Sequence, residues 1–153
     1  MDEITPGPLD ERVVEFLGRR VATVVVATVD DSGNPWTTPV NIITSISAST
    51  IRMAVERRSI ALANIERRER VMMAVLDEGN IAVGISGRAT VAKPVMESNP
   101  LMAMVEVRID GVKDDTWPDV IVCQGIRTRP RHESLSLSLR NVFVELKSHV
   151  ATS

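Results

Sequence analysis

Nine residues, Val21-Ala22-Thr23-Val24-Val25-Val26-Ala27-Thr28-Val29, are all β-branched or Ala and run straight into Asp30-Asp31-Ser32-Gly33-Asn34. Branching at Cβ restricts χ1 and suits a pleated surface, while Asp, Asn and Gly supply the Asx-turn and left-handed conformations of a tight reversal. The combination predicts the first strand and turn of an antiparallel hairpin. The run is also the longest apolar stretch of the chain. It falls far short of the roughly 18 residues a membrane-spanning helix requires, so no membrane partner is expected.

The returning strand, Pro35 to Ile43, carries Pro39, which has no backbone donor and belongs at an edge, a bulge or a gap where a ligand replaces the neighbouring strand. Further strands are expected at Thr50 to Val55, Val71 to Leu76, Ile81 to Val91 with bends at Gly84 and Gly87, Val105 to Ile109, and Val120 to Cys123, the last as a fully buried run. Leu9, Val13, Phe16 and Leu17 recur at helical spacing before Gly18 and predict a helix over 9–17. Ser59 has the character of an N-cap for a short helix over 60–68. Leu135, Leu139, Val142, Leu146 and Val150 predict a C-terminal helix over about 133–149.

These elements describe one domain spanning 1–153, with its core over about 12–126. The expected fold is mainly β with flanking helices: a split β-barrel of six to seven strands, Greek-key type, with N-terminal and C-terminal helices. With 44% hydrophobic but only 3% aromatic residues, its core must be aliphatic. Trp36 and Trp117 are conspicuous in such a chain, and core or interface burial is the expected role for each, with stacking on a planar cofactor the other use of an indole.

Charge and cysteine content narrow the function. Lys+Arg 18 against Asp+Glu 20 gives a net charge of -2, which lacks the cationic excess of a nucleic-acid binder. A lone Cys123 and the acidic, Pro-broken start Met1-Asp2-Glu3-Ile4-Thr5-Pro6 predict a reducing, cytoplasmic setting. Only His132 and His149 are available as imidazoles, too few for a zinc or Cys-His site. The basic cluster Arg127 to His132 is expected to be a solvated loop, with an anion site as the alternative. One constellation stands out. Arg57-Arg58-Ser59 joins a strand to a helix N-terminus, where free N–H groups, two guanidinium groups and a hydroxyl would cradle a monophosphate.

The ordered segments Ala27-Thr28-Val29-Asp30, Gly33-Asn34-Pro35, Thr37-Thr38-Pro39-Val40, Ser59, Ala63-Asn64-Ile65, Arg70-Val71 and Gly87-Arg88-Ala89-Thr90-Val91 resemble the pyridoxamine 5′-phosphate oxidase-like family of FMN-binding split barrels. The resemblance covers roughly residues 12–112. It implies a homodimer with two FMN sites at the subunit interface, Thr38, Pro39, Val40 and Asn41 lining the isoalloxazine, Ala54 and Val55 on the next strand, and Ser59 on the phosphate-binding turn. Family members usually place Arg or Lys directly after that Ser, where this chain has Ile60-Ala61. Arg57 and Arg58 are expected to substitute. The function implied is an FMN-binding oxidoreductase with an unknown acceptor and a possible nicotinamide electron donor. Its alternatives are a non-enzymatic flavin carrier or storage protein, or a barrel holding a deazaflavin, haem or no cofactor, with His132 or His149 as the haem ligand. No side chain is an evident catalytic acid or base.

Overall fold

The computed structural model describes residues 3–150, so Met1 and Asp2 of the acidic start lie outside the described residues. A two-residue strand, β1 (Thr5–Pro6), precedes helix α1 (Glu11–Arg19), and the β-strands β2 (Val24–Val29), β3 (Pro35–Val40), β4 (Ile43–Ser45) and β5 (Thr50–Glu56) follow. Helix α2 (Ile60–Arg67) leads into three long strands, β6 (Arg70–Asp77), β7 (Ile81–Lys93) and β8 (Met102–Asp114), and the chain ends in α3 (Ser134–Ser148). All pairings are antiparallel, in the order β3-β2-β6-β7-β8-β5-β4, with β1 added on β8. β6, β7 and β8 form a meander, and β5, joined to β6 through α2, lies on the far side of β8, which is the Greek-key relation. The sheet curls into an open barrel, as expected, with eight strands in place of six to seven.

Alternation sets the faces. β2 reads buried, half-buried in strict turn, and β8 hides Val105, Val107 and Ile109 while Arg108 and Asp110 stay exposed. The main core is aliphatic as predicted and takes in Leu9, which precedes α1, and Val13 and Leu17 from the helix itself. A smaller cluster, Ile42, Ala54, Met96, Met104, Val142 and Leu146, sits under α3.

Several expectations are corrected. The β-branched run starts pairing at Val24, not Val21, which is exposed. Pro35 to Ile43 is not one strand: the chain leaves β3 at Val40, turns through Asn41 and Ile42, and pairs as β4 with β5 at the far end of the strand order. Gly18 lies inside α1, where a Cβ would come within 3.1 Å of Ser45 Oγ, so it is a contact glycine and not a stop signal. Gly84 stays in register; the shift occurs at Gly87, which faces Ile109 while Ser86 faces Gly111, leaving Asp110 as the extra residue.

Val120 to Cys123 forms no strand, and Val120, Ile121 and Cys123 are exposed. The core is built by residues of α1, α2 and strands β2 to β8, and this apolar run crosses the β6–β7 turn as an external strap. Asn80 exchanges hydrogen bonds with Val122, and Asp77 accepts from Gly125 and from Arg127 at 2.6 and 2.9 Å. Residues 115–126 therefore lie outside the core. Neither indole is core: Trp36 is 40% and Trp117 71% exposed. No helix among the described residues is long and apolar enough to cross a membrane.

Candidate functional site

β4 is only three residues long, so it covers Ile51 to Met53 of β5 and leaves Val55 and Glu56 without a strand on that side. β3, at the other end of the sheet, approaches this bare stretch without pairing to it. Pro39 sits on the unpaired flank of the molecule, where its missing donor costs no ladder bond. The seam between β3 and β5 opens as a cleft of about 300 Å³ lined by Thr38, Pro39, Val40, Asn41, Ile42, Ala54, Val55, Glu56, Ser59, Asn99, Leu101 and Met102.

Seven of the residues named from sequence thus meet at one place: Thr38, Pro39, Val40 and Asn41 from β3 and the turn after it, Ala54 and Val55 from β5, and Ser59 from the α2 junction. Arg57 and Arg58 do not line it. Arg57 donates through its side chain to the Pro100 carbonyl at 3.1 Å and through its backbone N–H to Leu101 at 2.9 Å, so its guanidinium ties down the 94–101 loop. Arg58 is exposed and has no partner among the described residues. Ile42, Glu56, Asn99, Leu101 and Met102 were not legible beforehand. Asn99 and Leu101 come from the β7–β8 connection and Met102 from the start of β8, some forty residues on from Ser59, and no local motif marks them.

The Ser59 end of the cleft is built by α2. Ala61, Leu62 and Ile65 are buried, and Asn64, 1% exposed, donates to Thr28 Oγ1 at 3.0 Å, which fixes the helix against β2. Ser59 is the N-cap: its hydroxyl accepts from Leu62 N–H at 3.1 Å and donates to the Glu56 carbonyl at 2.7 Å. With that proton committed, Ser59 fixes where the helix begins. The amides of Ile60 and Ala61 have no partner among the described residues and lie at the positive end of the helix dipole, beside Ser59 but outside the cleft lining.

This donor set suits an anion: two free amides, a helix N-terminus and the unpaired Arg58 nearby. The walls of Val40, Ile42, Ala54, Val55 and Met102 suit the face of a planar heterocycle. The residues present therefore fit a flat, phosphate-bearing group. Elsewhere, a depression of about 510 Å³ lies between Thr5–Pro8, Asn80–Val83 and Asp114, but its Asp10 caps α1 and its Arg12 is bonded to the Gly79 carbonyl, leaving little free chemistry. The basic cluster divides: Arg127 is paired with Asp77, which raises its pKa, while Arg129, Arg131 and His132 are exposed.

Fold and cleft together define an antiparallel split barrel with a ligand cleft at its open seam. The model of the family described as pyridoxamine 5′-phosphate oxidase matches residues 9–119, and the chain belongs to that family. Among solved structures, a Lactobacillus delbrueckii protein provisionally named as a pyridoxamine 5′-phosphate oxidase is similar at 24% identity and TM-score 0.62, covering 74% of this chain and 99% of its own. An FMN-binding protein from Syntrophomonas wolfei is similar at 14% identity and TM-score 0.55, over 71% of this chain and 89% of that one. A protein named F420 reductase is similar at 17% identity and TM-score 0.53, over 65% and 94%. No curated protein matches the sequence.

Proposed function

We propose that the cleft at the β3–β5 seam binds FMN and that the chain is an FMN-dependent oxidoreductase working as a homodimer. The carrying observation is that the cleft brings an apolar wall from β3 and β5 to Ser59, the N-cap of α2, in a chain of this family. A solved relative in fold is named as an FMN-binding protein. A bound flavin would supply two-electron transfer at its ring nitrogen N5, and the protein's part is orientation and electrostatics. The β3 and β5 walls would hold the ring, and the Ile60 and Ala61 amides with Arg58 would neutralise the phosphate. Arg58 takes the place of the cationic pair that Ile60-Ala61 lacks. Arg57 is spent on the loop.

The test is titration of the purified chain with FMN, followed by flavin fluorescence. Saturable uptake is expected, with Arg58→Ala weakening it about tenfold, the worth of one charge-assisted hydrogen bond. No uptake by wild type overturns the reading. Bleaching of the bound flavin by NADH or NADPH supports the oxidoreductase, and stable binding without turnover supports a flavin carrier. A second reading, a deazaflavin in the same cleft, is favoured by the F420 reductase similarity and is tested by competition in the same titration.

A further inference from the structure

The family match ends at residue 119, yet α3, beyond it, packs behind residues that line the cleft. We propose that α3 positions the outer wall of the cleft, with Glu145 as the positioning residue; its consequence for flavin binding rests on the function proposed above.

That wall is the 94–101 loop between β7 and β8, which contributes Asn99 and Leu101. It has no ladder of its own: the buried Met96, whose N–H donates to the Met102 carbonyl at 2.9 Å, anchors its start, and the rest is held from two sides. From within, Arg57 grips Pro100 and Leu101. From outside, the Glu145 carboxylate accepts from the Glu97 N–H at 3.0 Å and the Ser98 N–H at 2.7 Å, one oxygen to each amide, and pairs with Lys93 Nζ at 2.9 Å. Its side chain is only 12% exposed, so these bonds are sheltered from water.

The helix that carries Glu145 is itself fixed. Val142 and Leu146 are buried against Ile42 and Ala54, which form part of the cleft floor. Arg52, nearly buried, donates to the Leu146 and His149 carbonyls at 2.9 and 2.7 Å and to Glu106 at 3.0 Å, capping the C-terminal end of α3. Floor and wall are thus backed by one helix from outside the family match.

The experiment compares wild type, E145Q and E145A as full chains by hydrogen–deuterium exchange without ligand and by FMN titration. Exchange at Glu97 and Ser98 is expected to rise about tenfold in E145A and less in E145Q, which keeps one acceptor oxygen, while β6 and β7 stay protected. FMN affinity should fall about tenfold in E145A. Should E145A fail to fold, E145Q carries the comparison. Wild-type exchange at both amides overturns the proposal, as does an unchanged FMN affinity with a loosened loop. Failure of wild type to take up FMN sinks the flavin reading alone, and the clamp is then judged by exchange.

Discussion

Gly87 lies where β7 and β8 lose register, and a Cβ there would come within 2.7 Å of the Arg108 carbonyl oxygen and of Val107 Cγ1. The obstacle on one side is backbone, which cannot swing aside as a side chain would. Gly87→Ala is therefore expected to lower stability by about 1–3 kcal/mol, the range for overpacking, measured by urea unfolding. Ser59 and Arg57 make a related point about single residues. Each is the residue type that would grip a phosphate, and each is already engaged, Ser59 with the α2 cap and Arg57 with the Pro100 carbonyl. Arg58 has no partner among the described residues, which is why the proposed phosphate contact is assigned to it.

At the scale of elements, α3 is held to the 94–101 loop through an ionised group. Burial alone would raise the Glu145 carboxyl, but hydrogen bonds from Ser98, Lys93 and Glu97 outweigh it and hold the pKa at about 2. A depressed carboxyl contributes stability that is fully present above the unfolded value of about 4.5 and is lost as pH falls through the folded value. Docking of α3 and order in the 94–101 loop are thus expected to weaken between about pH 4.5 and 2 and to be flat from there to neutrality. Amide exchange of that loop against pH checks this, and E145Q should remove its share of the dependence. The brevity of β4 is the other consequential feature at this scale. Three residues of pairing leave β5 bare where the cleft forms.

For the whole molecule, β3 is the exposed end of the sheet, open at nearly every position, and presents Trp36. Such an edge invites pairing or cover. We expect a second copy to supply it: sedimentation equilibrium should give twice the 16.8 kDa chain mass, and Trp36→Asp should shift the population toward monomer. A monomer at micromolar concentration with FMN present would count against the dimeric arrangement.

Local chemistry made much of this legible. The β-branched run and its Asp-Gly turn, the Ser59 cap and the helical spacing of Val142 and Leu146 depend on residues within one or two turns of each other, and each appears in the structure close to where the spacing puts it. The strap at Val120 to Cys123 deceived because an apolar run states only a preference for burial, and the core-facing positions had been taken by other strands. The seam, the joining of Asn99 and Leu101 to Ser59, and the reach of Glu145 to Ser98 were settled only in three dimensions. They depend on which strands become edges and which helix covers the gap, and that is decided by competition among distant segments for one buried surface.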